Sequence, residues 1–244
     1  MRFWKTELPL IVRRNHHTLL YSFIIFTSFA LMAAFSSAND ESFVRGVLGD
    51  QYVDMTEENI AKGDPFGVYK NEDRLSMFFY IAFNNIKVAF TCFVLGIALS
   101  LGTVWVLFRN GVMVGAFQYM FFAKGLGFNS VLVIWIHGTL EISAIIISGA
   151  AGLILGNSIL FPGTHKRIDS LKQGGKDGIK FMIGLVPIFI AAAFLEGFIT
   201  RLTSMPVWLS MFILLASATF IIWYFVIYPI RLQKRLSKTP NPAT

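Results

Sequence analysis

The chain has 244 residues, of which 55% are hydrophobic, 15% aromatic and 14% charged, with a mean hydropathy of +0.62. Soluble domains carry about 25% charged residues, and a soluble fold of this composition would leave a large apolar surface in water. The composition therefore implies an integral membrane protein and excludes a separate soluble catalytic domain. The single cysteine, Cys92, lies inside an apolar run, so neither a disulfide framework nor a cysteine-based zinc site is available. In a membrane chain the net charge of +7 is read as cytoplasmic loops rich in Lys and Arg that face anionic lipid. No nucleic-acid partner is expected.

Residues 1–17 carry Arg2, Lys5, Arg13 and Arg14 ahead of the first apolar stretch and lack a small-residue cleavage site, so they read as a retained cytoplasmic segment. A helix of about 20 apolar residues crosses a hydrocarbon core of about 30 Å. Stretches at 18–37, 78–108, 130–161, 180–200 and 207–229 meet that length. A shorter one at 112–123 lies between Arg109-Asn110-Gly111 and Lys124-Gly125, and reads as a short or tilted span, or alternatively as a re-entrant hairpin. The predicted fold is all-α: a polytopic membrane bundle of about six spans over residues 18–229, followed by a basic cytoplasmic tail at 230–244.

Charge sets the orientation. With six spans, 14 of the 21 Lys and Arg residues, Arg109 among them, fall in cytoplasmic segments, which places both termini in the cytoplasm. The 38–75 segment holds nine of the 14 acids against four bases, and is predicted to be an extracytoplasmic loop forming a short helical cap with a turn at Gly63-Asp64-Pro65.

A charge at the centre of a span costs about 2.5–3.5 kcal/mol on insertion scales, so each intramembrane polar group needs a reason. Asn84, Asn85 and Lys87 open the second span, His137 and Glu141 lie in the fourth, and Glu196 and Arg201 close the fifth. On the predicted topology all of them fall in the outer half of the bilayer. His137 and Glu141 are four apart and share a helix face. Below them Ala144, Ser148, Gly152 and Gly156 continue a small-residue seam, matched in the second span by Asn85, Ala89, Cys92, Gly96 and Ser100. Such seams bring helix backbones close in lipid, either within one chain or between two in a homo-oligomer.

Three readings of the polar cluster stay open. His137, Glu141 and Glu196 could hold a divalent metal such as zinc, since a histidine with two carboxylates is a known ligand set. They could serve a polar substrate, a proton or a lipid headgroup. Or they could form a structural network, with Glu196 paired to Lys87 or Arg201 and His137 bonded to Glu141. No nucleophile motif, HExxH or phosphate loop occurs, so no catalytic residue is assigned.

Asn84-Asn85-Ile86-Lys87-Val88-Ala89, Gly102-Thr103, Arg109-Asn110-Gly111, Gly115, His137-Gly138-Thr139-Leu140-Glu141, Gly152 to Gly156, Pro162-Gly163 and Glu196-Gly197-Phe198-Ile199-Thr200 occur in this order. In these residues the chain resembles the stage II sporulation protein M family of integral membrane proteins, from about residue 40 to 201. The resemblance implies an all-helical protein of the bacterial inner membrane that is not a demonstrated enzyme. It implies a scaffold that recruits envelope partners, including peptidoglycan-degrading enzymes. The family motif falls on Asn84, Asn85, His137, Glu141 and Glu196. A non-enzymatic scaffold or assembly factor of the cell envelope is the leading expectation, with a transporter or channel-like permease, or a metal-dependent membrane hydrolase, as alternatives.

Overall fold

In a computed structural model the described residues are 2–67, 73–202 and 205–238; the parts of the 38–75 loop at 68–72 and of the tail at 239–244 lie outside them. Those residues are mostly helical, with no strand among them. A π-helical turn at Phe3–Glu7 leads into α1 (Leu8–Arg14) and the long α2 (His16–Asn39). Then come α3 (Glu41–Leu48), α4 (Asp50–Ala61), α5 (Arg74–Val94), α6 (Leu101–Ala123), α7 (Gly127–Leu160) and α8 (Arg167–Phe194). The chain ends in α9 (Val207–Ile222) and α10 (Tyr228–Leu236), joined by a π-helical stretch at Trp223–Ile227. Five helical stretches are long and apolar enough to cross a bilayer: His16–Asn39, Arg74–Ile97, Gly127–Leu160, Arg167–Thr200 and Val207–Leu236. The protein is a multi-pass membrane helix bundle.

The structure moves two boundaries: the helix expected at 180–200 begins at Arg167, and the second expected span is divided. The 78–108 stretch is not one helix, and Arg109-Asn110-Gly111 is not a loop. The chain turns at Ala98–Ser100, after a short 3-10 segment at Leu95–Ile97, and α6 then runs unbroken from Leu101 to Ala123. The short 112–123 stretch is thus the second half of a 23-residue helix, long enough at about 1.5 Å per residue to cross a bilayer. Leu99 and Ser100 make the corner in left-handed backbone (φ 54° and 68°), which only glycine adopts without strain. Arg109 lies mid-helix and exposed, so it leaves the count of loop charges.

Contacts show that α2, α5, α6, α7, α8 and α9 alternate in direction. Gly111 and Gly115 of α6 meet Phe26 and Ala30 of α2 in the same order, so those two helices run parallel. Gln118 of α6 bonds Ser130 of α7 at one end, while Leu107 meets Gly149 at the other, so α6 and α7 run antiparallel. The core gathers around α7. Its Gly152 and Gly156 lie against Gly96 and Ser100 at the α5–α6 corner, and its Gly149 lies against Ser22 of α2 and Leu107 of α6. Thr103 donates to the Cys92 carbonyl at 2.8 Å beside this contact. The two small-residue seams therefore pack against each other within one chain.

One end of the bundle is basic. Arg14 of α1 pairs with Asp177 of α8, Lys180 of α8 lies 3.1 Å from Glu7, and Arg13 donates to Gln233 of α10 at 2.7 Å. α1, α10 and the first half of α8 thus share one end of the bundle. The Asp177 side chain is only 9% exposed and also accepts from Gln173 at 3.2 Å. Arg14→Ala is expected to leave this carboxylate poorly compensated and to cost about 1–3 kcal/mol, read as a lower thermal midpoint in detergent. Lys180→Ala, whose pair is exposed on both sides, should cost under about 1 kcal/mol. Equal midpoints for the two variants would refute the ranking.

At the opposite end α3 and α4 form a cap. Asp40 caps α3 by accepting from Ser42 N at 2.9 Å, and Gly49 and Gly63 supply the positive φ that turns the chain on either side of α4. Val44, Val53 and Phe66 of this segment pack on Met120 and Phe121 of α6. Phe66 stacks on Phe121 with ring centres 5.5 Å apart. Lys124 reaches Glu57 at 2.7 Å, and Arg45 reaches Asp54 at 2.6 Å.

Candidate functional site

α7 brings His137 and Glu141 onto one face, as their spacing of four requires. α8 brings Glu196, which sits not on regular α-helix but in a π-helical turn, Leu195–Thr200. Turns of this kind widen the helix and recur at functional sites. Glu196 and Thr200, four apart on this turn, both face His137. A ligand atom from each of His137, Glu141 and Glu196 lies within 4.8 Å of the other two; the histidine is buried and the glutamates partly buried.

The hydrogen bonds orient the histidine. Thr200 Oγ1 donates to the Leu195 carbonyl at 3.2 Å and lies 3.0 Å from His137 Nδ1. With its proton used on the carbonyl, the hydroxyl accepts from Nδ1–H, and this network assigns the lone pair to Nε2. Nε2 lies 3.8 Å from Glu196 Oε2, beyond hydrogen-bond length. From α5, Asn85 is 6% exposed and faces Glu141, and its Nδ2 has no hydrogen-bond partner among the described residues.

The other residues singled out by sequence sit differently. Asn84 is exposed and outside the cluster, as is Lys87 on the same helix. Arg201 follows Thr200 directly and is partly buried at the end of the turn. The histidine's Nδ1 partner is Thr200 rather than Glu141. Thr200 stands four residues after Glu196, a spacing that already puts the two on one helix face, whereas nothing in the sequence assigns it to Nδ1 of His137.

A cavity of about 330 Å³ adjoins the cluster between cap, α6 and α7. Leu48, Tyr52, Met113, Phe117 and Trp135 give it apolar walls, and His137, Gly138 and Glu141 form its polar end. A Cβ at Gly138 would meet only the tip of Ile142, at 4.0 Å, so this glycine leaves open space beside both polar residues. Trp135 Nε1 donates to Gln118, which in turn donates to Ser130, both at 2.7 Å; these bonds tie α6 to α7 beside the cavity.

Below Glu141 the same face of α7 carries Ala144, Ser148, Gly152 and Gly156, closed by backbone from α5 and the corner. The cluster thus ends in close packing on the side facing the basic end. No curated protein and no solved structure matches the chain. The family Stage II sporulation protein M matches residues 22–201, which include the whole cluster, the cavity, the cap and both small-residue seams. The chain belongs to the stage II sporulation protein M family.

Proposed function

We propose that this protein is a non-enzymatic scaffold or assembly factor of the bacterial inner membrane, with both termini in the cytoplasm and the α3–α4 cap outside. The observation that carries this reading is the docking of the cap. Its apolar side is fixed to α6 by Val44, Val53 and Phe66, while Asp50, Asp54 and Glu58 remain exposed. An acidic surface held rigidly against a membrane bundle can position an envelope partner at a set height above the bilayer. The basic end, with Arg13, Lys166, Arg167 and Lys234, fits the cytoplasmic side. Peptidoglycan-degrading enzymes are the partners that family membership suggests.

A permease is supported less well. The backbone contacts of Gly96 with Gly152 and of Gly156 with Ser100 close the bundle below the cluster, where a substrate would have to continue. In native membranes, crosslinking is expected to join the cap to envelope hydrolases or their regulators. Replacing Asp50 and Glu58 by Asn and Gln should reduce that crosslinking several-fold without changing the thermal midpoint. An unchanged crosslinking pattern, or substrate-dependent flux through reconstituted liposomes, would overturn the scaffold reading.

A further inference from the structure

We propose that His137, Glu141 and Glu196 bind a divalent transition metal of the zinc class inside the membrane bundle, with Thr200 as the residue that orients the histidine. Three independent features carry this, and none depends on the scaffold reading.

The first is the donor set. One imidazole and two carboxylates converge from α7 and the π turn after α8, with ligand atoms inside 4.8 Å. A tetrahedral ion bound at about 2.0–2.2 Å holds its ligands about 3.3 Å apart. Rotation about the glutamate side-chain torsions spans the difference, and Nε2 and Glu196 Oε2 already stand at 3.8 Å. Two carboxylates and an imidazole suit zinc, manganese or cobalt better than a soft ion that prefers thiolate.

The second is the histidine's outer partner. Metal-bound histidines almost always donate their other ring N–H to a fixed acceptor, which sets the tautomer and frees the ligating lone pair. Thr200 Oγ1 is that acceptor, and the Leu195 carbonyl fixes its own proton. Nε2 is the ring atom left toward Glu196.

The third is a buried amide in the same wall, aimed at one of the carboxylates. Asn85 is buried and directs its amide at Glu141, near enough to act on that carboxylate but without a bond of good geometry to it. Turning the amide places Oδ1 toward the cluster as a fourth oxygen or nitrogen donor, and Nδ2 away from it. Charge points the same way, because two adjacent carboxylates in a low-dielectric bundle call for a compensating cation. The cavity beside Gly138 supplies an entry path from the cap side.

The test uses the full chain purified in detergent, stripped with a chelator, and titrated with Co²⁺ and then Zn²⁺. One ion per chain is expected, with the intense visible bands of low-coordinate Co²⁺ bleached as Zn²⁺ displaces it. Glu196→Gln and His137→Ala should abolish the bands. Thr200→Val should keep their shape but weaken affinity about 10–100-fold, as loss of an outer-shell partner does. Asn85→Ala should weaken affinity or shift the bands. Each variant is scored only when it elutes as a single species with helical circular dichroism, and Thr200→Val, nearly isosteric, keeps the test decisive if His137→Ala misfolds. A folded wild-type chain that binds neither ion would overturn the site, as would binding unchanged in Glu196→Gln. Either result would leave a proton shared between the glutamates as the compensating charge.

Discussion

Gly96→Val and Gly152→Val are expected to prevent assembly of the bundle. A Cβ at Gly96 would lie 2.8–2.9 Å from the carbonyl carbon and Cα of Gly152, and one at Gly152 would lie 2.6 Å from the Cys92 carbonyl oxygen. The obstacle is backbone on both sides, so no side-chain rotation relieves it. Overpacking a core ordinarily costs about 1–3 kcal/mol, and a backbone clash on the central helix should reach or exceed the top of that range. The expected readouts are little or no monodisperse protein after extraction, or a thermal midpoint far below wild type. Gly175→Ala is the control, because its Cβ would meet only Leu155, at 4.0 Å. A wild-type midpoint for Gly96→Val would mean that α5 and α7 do not pack through this seam.

Val53→Asp should release the cap while leaving the bundle intact. Val53 is 4% exposed and sits in the apolar cluster with Phe66, Met120 and Phe121. Burying an unpaired carboxylate there would cost several kcal/mol, more than a small apolar contact of this kind supplies, so the segment should leave the surface instead. Limited proteolysis within 41–67 should become fast, while cleavage elsewhere is unchanged. High salt should not reproduce the effect. At about 1 M the screening length is about 3 Å, enough to weaken Lys124–Glu57 and the Arg45 pairs but not the stacked phenylalanines. A cap that opens in salt alone would make charge rather than apolar contact the fastening. Under the scaffold proposal, Val53→Asp should also lose its envelope crosslinks.

The membrane class and the placement of α2, α7, α9 and the apolar second half of α8 were legible in the sequence, because each is a long apolar run and apolar length determines what can span a bilayer; the polar first half of α8 was not. Nor was the second span. Ala98-Leu99-Ser100 contains no glycine, proline or charge, yet the chain turns there in left-handed backbone. Arg109-Asn110-Gly111 has the look of a turn, yet it is helical. Asn110 donates to its own helix at Val106, and Gly111 is small because the Phe26 carbonyl oxygen would lie 2.8 Å from a Cβ. The same residue types signal a loop or a close helix contact, and only the partner helix tells them apart.

At the site, the spacing of His137 and Glu141 was readable because a regular helix repeats predictably. Glu196 could be placed near them by depth along its helix. Thr200 shares its face by a spacing of four, but the exact approach of both residues follows a local widening of the helix that no residue in Leu195–Thr200 announces. The separation of Asn85 from Asn84 follows from ordinary helix geometry, in which adjacent residues point about 100° apart. The small-residue seam through Asn85, Ala89, Cys92 and Gly96 already marked Asn85 as the residue on the packed face.

The break at Ala98–Ser100 also bears on how the protein is made. α6 is not among the helices apolar enough to partition into lipid by composition, and it carries Arg109 near its middle. An isolated helix with that arginine would be a weak substrate for the insertion machinery. With the corner at 98–100, α5 and α6 emerge from the ribosome as one helical hairpin, and the apolar first arm can carry the second in with it. By then α2 has already been synthesised, presenting Phe26 and Ala30 to the small residues of α6. The order of synthesis thus gives the helix that carries Arg109 a protein neighbour to enter beside.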